Sequence, residues 1–105
     1  MADTAIRMAG PAQLPTTATT AYTVPGATKA IVRNMHFTNT TASAKKLTLS
    51  IGADAAGTRY FDEHTIQPDS SFDWNGFLVL DAAEVIQWFS DVAGITGTIS
   101  GVESA

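Results

Sequence analysis

The chain has 105 residues, no cysteine, a formal net charge of −4 and only 15% charged residues. That length bounds one domain with a modest core, and the missing thiols exclude a disulfide framework or a thiolate metal site. The few basic residues are scattered through an acidic chain, so no nucleic-acid partner is expected. No apolar run is long enough to span a bilayer, so no membrane partner is expected either. The first ten residues lack the basic start and apolar stretch of a signal peptide, which predicts synthesis in a cytoplasm. A surface so poor in charge is compatible with extensive protein contacts.

Residues 1–20 are rich in Ala, Thr and Pro, with Gly10-Pro11 and Leu14-Pro15 as breakers. Proline removes donors and restricts the residue before it, so no helix runs through this segment. It holds too few large apolar groups for a core of its own. We read it as an extended N-terminal arm, with residues 21–105 forming the domain. In a functional arm, Ile6, Met8 and Leu14 are the side chains that would lie in a neighbour's groove.

After the arm the pattern is short strands and turns. Residues 21–24 form a short strand that ends at Pro25-Gly26. Residues 29–39 form the longest strand, with Ile31, Met35 and Phe37 on one face and Val32, Asn34 and His36 on the other. Arg33 interrupts the parity. Residues 39–44 are a polar loop. Residues 45–51 alternate, with Leu47, Leu49 and Ile51 inward. A loop over 52–57 leads to a strand over 58–66 with Tyr60 and Phe61 on opposite faces. Residues 71–74 and 77–80 read as two strands joined at Asn75-Gly76, a strong hairpin signal. The second is apolar throughout, as a strand covered on both faces would be. Residues 85–90 follow a tight connection, with Val85, Gln87 and Phe89 on one parity and Trp88 opposite them. Residues 96–102 close the domain, and their glycines, Gly97 and Gly101, imply a bulge or a close backbone approach. The expected fold is therefore all-β, an antiparallel sandwich or small barrel of about eight strands.

Residues with chemical potential are few. Asp62 and His64 share a strand face, and His36 on another strand could complete a facial metal site; a solvated ion pair is the plainer reading. Asp69, Asp73, Asp81 and Glu84 flank turns, where Asp commonly caps them, although paired carboxylates also serve calcium binding and glycoside hydrolysis. No nucleophile elbow, phosphate loop or dinucleotide motif is present, so no enzyme activity, metal or cofactor is expected. The aromatics cluster in the second half and read as core. Trp74, beside Asn75-Gly76, is the exception singled out as a partner-binding side chain.

The run from Tyr22 to Thr40 (YTVPGATKAIVRNMHFTNT) resembles the opening of small virion structural proteins of tailed bacteriophages. The segments FDWNGFLVL, from Phe72, and LDAAEVI, from Leu80, extend the resemblance, which covers roughly residues 22–102 and leaves out the arm. It implies a β-sandwich component of the head, neck or tail without enzymatic activity. It further implies a homo-oligomer, often a trimer, located in the virion and docked on the major capsid protein or another virion protein. A capsid decoration or auxiliary subunit is the leading expectation. The alternative is a receptor- or glycan-binding module of a tail tip or fibre that uses Trp74.

Overall fold

In the computed structural model, which describes residues 3–104, every regular element is a strand. The strands are β1 (Asp3–Gln13), β2 (Thr19–Thr23), β3 (Lys29–Asn39), β4 (Lys45–Ile51), β5 (Arg59–Ile66), β6 (Ser70–Leu80), β7 (Val85–Ser90) and β8 (Ile95–Ser104). They form two four-stranded sheets, ordered β1-β8-β3-β6 and β2-β7-β4-β5, antiparallel throughout. The all-β expectation holds, and no helix occurs among the described residues. One apolar core lies between the sheets. At its centre the fully buried Phe37 of β3 meets Phe61 and Trp88 of the other sheet edge-on, with ring centroids 6.4 and 6.2 Å apart.

The expected arm is built into the first sheet. Residues 3–13 are β1, an edge strand paired along β8; residues 1–2 of that segment, and residue 105 of the domain, lie outside the described residues. The receptor for β1 is the glycine pair of β8. A Cβ on Gly101 would stand 2.1 Å from the Ile31 carbonyl oxygen and 2.7 Å from Met8 Cε. One on Gly97 would stand 2.8 Å from Leu14 Cδ1 and 2.9 Å from the Phe37 ring. Met8 and Leu14 fill these slots at 8% and 1% exposure. Gly10-Pro11 falls inside a register shift between Ala9 and Ala12, at a sheet edge, where proline's missing N–H is tolerated. The Leu14 N–H donates to Ile95 O, and Ser90 N–H donates to Pro15 O, as the chain crosses to the second sheet.

The predicted hairpin at Asn75-Gly76 is not a turn. Residues 70–80 run as one strand, β6, paired with β3 on both sides of that dipeptide. Gly76 is there for space: a Cβ would meet the Trp74 ring at 2.7 Å. The merged strand offsets the gained β1, so the number of strands agrees with expectation while their identities differ.

A bulge at Arg33 corrects the parity of β3. Val32 and Asn34 are matched by the adjacent Gly101 and Ser100 on β8, leaving Arg33 extra. A bulge shifts the side-chain alternation by one. Ala30 and Val32 therefore point inward before it and Met35, Phe37 and Asn39 after it, while Ile31 turns out. The buried Asn39 amide donates to Ser43 O and Ile66 O, and its oxygen accepts from the N–H and hydroxyl of Thr41. Every polar atom of this side chain that enters the core is thus paired, as burial requires.

Candidate functional site

The outer face of the first sheet carries an apolar row across all four strands. Ala5 of β1 lies beside Val102 of β8, Val102 beside Ile31 of β3, and Ile31 beside Val79 of β6. Next to the row stands Phe77, 64% exposed, with Val79 at 47%. The Arg33 guanidinium lies 5.7 Å from the Phe77 ring centroid, and its Nε donates to Gly76 O at 3.0 Å. The bulge that frees Arg33 from β8 thus also aims it over Phe77. On the other side of the row is an open hollow of about 650 Å³, lined by Ala27, Lys29, Ile31, Val79, Asp81 and Ala82 among others.

The chain builds this hollow with two turns. Ala27 at φ 56° closes the Pro25-Gly26 turn, and Ala83 at φ 69° shapes the turn after β6. The Glu84 carboxylate accepts from Asp81 N–H, while Val24 N–H and Ala83 N–H exchange hydrogen bonds with Glu84 O and Val24 O. Lys29 Nζ and Asp81 Oδ1 form an ion pair 2.5 Å apart at the rim. That hydrogen bond, and then the Asp81 charge, hold the Lys29 ammonium above its ordinary pKa. The pair is well exposed, so it contributes little to stability.

The centre of the outer face of the second sheet is covered by the chain itself. Thr48 and Ser50 of β4 point outward, opposite Leu47 and Leu49, yet are 2% and 1% exposed. The loop between β4 and β5 folds over them. Asp54 N–H donates to Gln87 Oε1, and Gly52 N–H donates to Val85 O. Arg59 pins the loop through Asp54 at 3.0 Å, reaches Asp62 at 2.6 Å, and lies 5.9 Å from the Phe89 ring centroid. These two carboxylates keep the guanidinium above its usual pKa.

The residues singled out from sequence do not converge on one site. Met8 and Leu14 serve their own core, and Ile6 is partly buried against it. Trp74 is also partly buried, with its ring edge-on to Tyr60 at 5.7 Å. Tyr60, Phe61, Phe72, Trp74 and His64 line the seam where the edge strands β5 and β6 meet. The trio of His36, Asp62 and His64 is dispersed. Glu63, at φ 48°, interrupts the alternation between Asp62 and His64. Asp62 pairs with Arg59, and His64 packs on Phe72 with ring centroids 4.2 Å apart. His36 instead pairs across the sheet with Asp73 through Nδ1, and its Nε2 contacts Thr38 Oγ1 at 3.0 Å. Among the described residues, no group of three or more His, Asp or Glu is arranged to hold a metal ion.

The outward row was missed because straight alternation places Ile31 inside and a hairpin covers residues 77–80. The one available signal was Arg33, a charge on an otherwise apolar parity, which marks the bulge. A second long-range tie was also unforeseen. The Tyr22 hydroxyl of β2 donates to the Glu103 carboxylate of β8, joining the two sheets. Burial first, then this hydrogen bond and the Glu103 charge, push the phenol pKa well above its ordinary value.

No protein-family model, curated protein or solved structure matches this chain.

Proposed function

We propose that this protein is a structural subunit of a tailed-bacteriophage virion, a head decoration or auxiliary subunit without catalytic activity. It binds the assembled head lattice, through the major capsid protein, as a homo-oligomer. The observation that carries the reading is the uncovered outer face of the first sheet, where an apolar row and the exposed Phe77 occupy positions that a solvent-facing sheet fills with polar residues. The resemblance over residues 22–102 points the same way, as does the stacking of two antiparallel sheets as a sandwich. In such a role many modest contacts sum through multivalency. Binding the expanded lattice more tightly than its precursor stabilises it by linkage. The glycan-binding alternative draws on Trp74, whose ring is packed against Tyr60 and over Gly76.

The test is reconstitution. Heads are purified from phage lacking this gene, the full chain is added, and bound copies per particle are counted together with the temperature of DNA release. Saturation at a fixed stoichiometry and a higher release temperature are expected. Heads that take up no protein would overturn the reading. Removing residues 1–15 is not a usable variant, because it strips β1 from the sheet and empties the Met8 and Leu14 slots.

A further inference from the structure

We infer that Asn75-Gly76 is a site of self-modification, where the Asn75 side chain closes on its own backbone and converts to aspartate and isoaspartate. The chemistry is independent of the virion role and takes water as its one co-reactant. In the first step the Gly76 nitrogen attacks Asn75 Cγ. A nitrogen–carbon bond forms, and the side-chain amide leaves as ammonia with the proton that Gly76 gives up. The product is a five-membered cyclic imide. Water then adds to one of its two carbonyl carbons and breaks the bond from that carbon to nitrogen. Opening at Cγ gives aspartate. Opening at the main-chain carbonyl gives isoaspartate, whose backbone runs through the side chain.

Three features of the fold favour the reaction at this dipeptide. Asn75 is exposed, and Gly76 brings no Cβ to crowd the attacking nitrogen. The pairing is also interrupted there. Val32 faces Leu78 and Asn34 faces Asn75, so Gly76 and Phe77 share the single Arg33 opposite them. Such a bulge disrupts the ladder that would fix the Gly76 backbone, and β6 is an edge strand with no neighbour on its other side. Finally, Asn34 Nδ2 donates to Asn75 Oδ1 at 3.0 Å. Attack at Cγ puts negative charge on that oxygen, and a donor already in place at this distance stabilises it. The Asn34 amide is held there by a second hydrogen bond, to Trp74 O at 3.4 Å. Asn39 shows the opposite arrangement. Its oxygen accepts from Thr41, but the side chain is fully buried, its nitrogen is held by Ser43 O and Ile66 O, and a β-branched Thr40 follows it. The product adds a carboxylate between Asp73 and Phe77 to a chain that already carries −4. Isoaspartate also inserts an extra main-chain carbon into β6. The face beside the apolar row therefore changes with the age of the molecule.

The test is mass spectrometry of the folded full chain, held in warm, mildly alkaline buffer, sampled over time and digested with trypsin. Arg59 is the last basic residue, so one peptide, residues 60–105, carries Asn75, while residues 34–45 carry Asn34 and Asn39. The zero-time sample corrects for conversion during digestion, and a synthetic peptide of residues 70–80 sets the reference rate. A gain of one mass unit is expected in 60–105, assigned to residue 75 by fragmentation and split between aspartate and isoaspartate, with none in 34–45. An Asn75 still intact when the free peptide has converted would overturn the inference, as would equal gain at Asn34 or Asn39. Asn34→Ala removes the donor, so conversion at Asn75 slows while the circular dichroism stays unchanged. Conversion that keeps its rate or quickens overturns the role given to Asn34. The wild-type measurement stands without that variant, and neither depends on whether heads take up the protein.

Discussion

On the outer face of the second sheet, Thr48 and Ser50 lie buried beneath the chain's own loop, whereas on the outer face of the first sheet Phe77 and Val79 stand 64% and 47% exposed. The outer face of the first sheet is polar over most of its length, with its apolar row and Phe77 gathered at one end, whereas Phe89 on the second lies under Arg59. The second sheet closes its centre with a local device: Arg59, its two carboxylates and the loop between β4 and β5, which also bonds to Val85 and Gln87 of β7. The first sheet carries two turns at one end, beside the hollow. On the function proposed above, the first sheet would be the side that meets another molecule.

The contrast can be broken from inside the first sheet. Gly101→Ala drives a methyl group to within 2.1 Å of the Ile31 carbonyl oxygen and 2.7 Å of Met8, so β3 or β1 has to move. The expected loss is about 3 kcal/mol, read as a fall in the urea midpoint, with faster proteolysis near residues 3–13 as β1 loosens. An unchanged midpoint would mean that the glycine slots do not hold β1. The second sheet is broken from outside: Arg59→Ala unpins the loop from Asp54 and bares Phe89. A fall of a few degrees in melting temperature and new binding of a hydrophobic dye are expected. The effect is smaller than that of Gly101→Ala because the core is untouched, and no dye binding would show that the loop stays closed without the arginine.

These devices explain what could be read from the residues and what could not. Alternation along β4 was legible, with Leu47 and Leu49 set two apart on the buried side, whereas on β7 the period does not say which parity faces in: Val85, Gln87 and Phe89 share one, yet Ile86 and Trp88 are the buried pair. Bulges defeated the same rule on β3 and β5, since one extra residue at Arg33, or a left-handed Glu63, flips every side chain beyond it. Asn75-Gly76 misled for a related reason. The dipeptide favours a turn by local conformational freedom, but cross-strand pairing with β3 and the Trp74 ring decide its backbone. The N-terminal segment was legible as extended, but its Met8 and Leu14 fill slots in this chain's own core rather than a neighbour's groove. Its receptor was not legible, because the slots are absences of side chain at Gly97 and Gly101, residues distant in sequence. The apolar outer row emerges only when four strands are aligned, and no single segment contains it.

A smaller effect sharpens how the faces are held in register. Tyr22 of β2 and Glu103 of β8 bridge the sheets, and the phenol is raised above its ordinary pKa, first by burial and then by that hydrogen bond. The folded state therefore holds this proton more tightly than the unfolded chain. By linkage the stabilisation is complete below the ordinary tyrosine pKa of about 10 and declines as pH climbs above it. Wild type should lose urea resistance steeply in that alkaline range, and Tyr22→Phe should lose part of that slope while sitting slightly lower at neutral pH. Equal slopes in the two proteins would remove Tyr22 as the alkaline-sensitive tie.

The smallest expected change lies at the hollow. Ala27 adopts φ 56°, a left-handed conformation that costs an L-residue roughly 1–2 kcal/mol and glycine little. Glycine gives back part of that gain because its unfolded chain is freer. Ala27→Gly should therefore raise stability by about 0.5 kcal/mol, measured as a small upward shift of the urea midpoint. Ala27 also lines the hollow beside Asp81 and Ala82, so a midpoint that falls instead would mean that its methyl group packs there and outweighs the relieved strain.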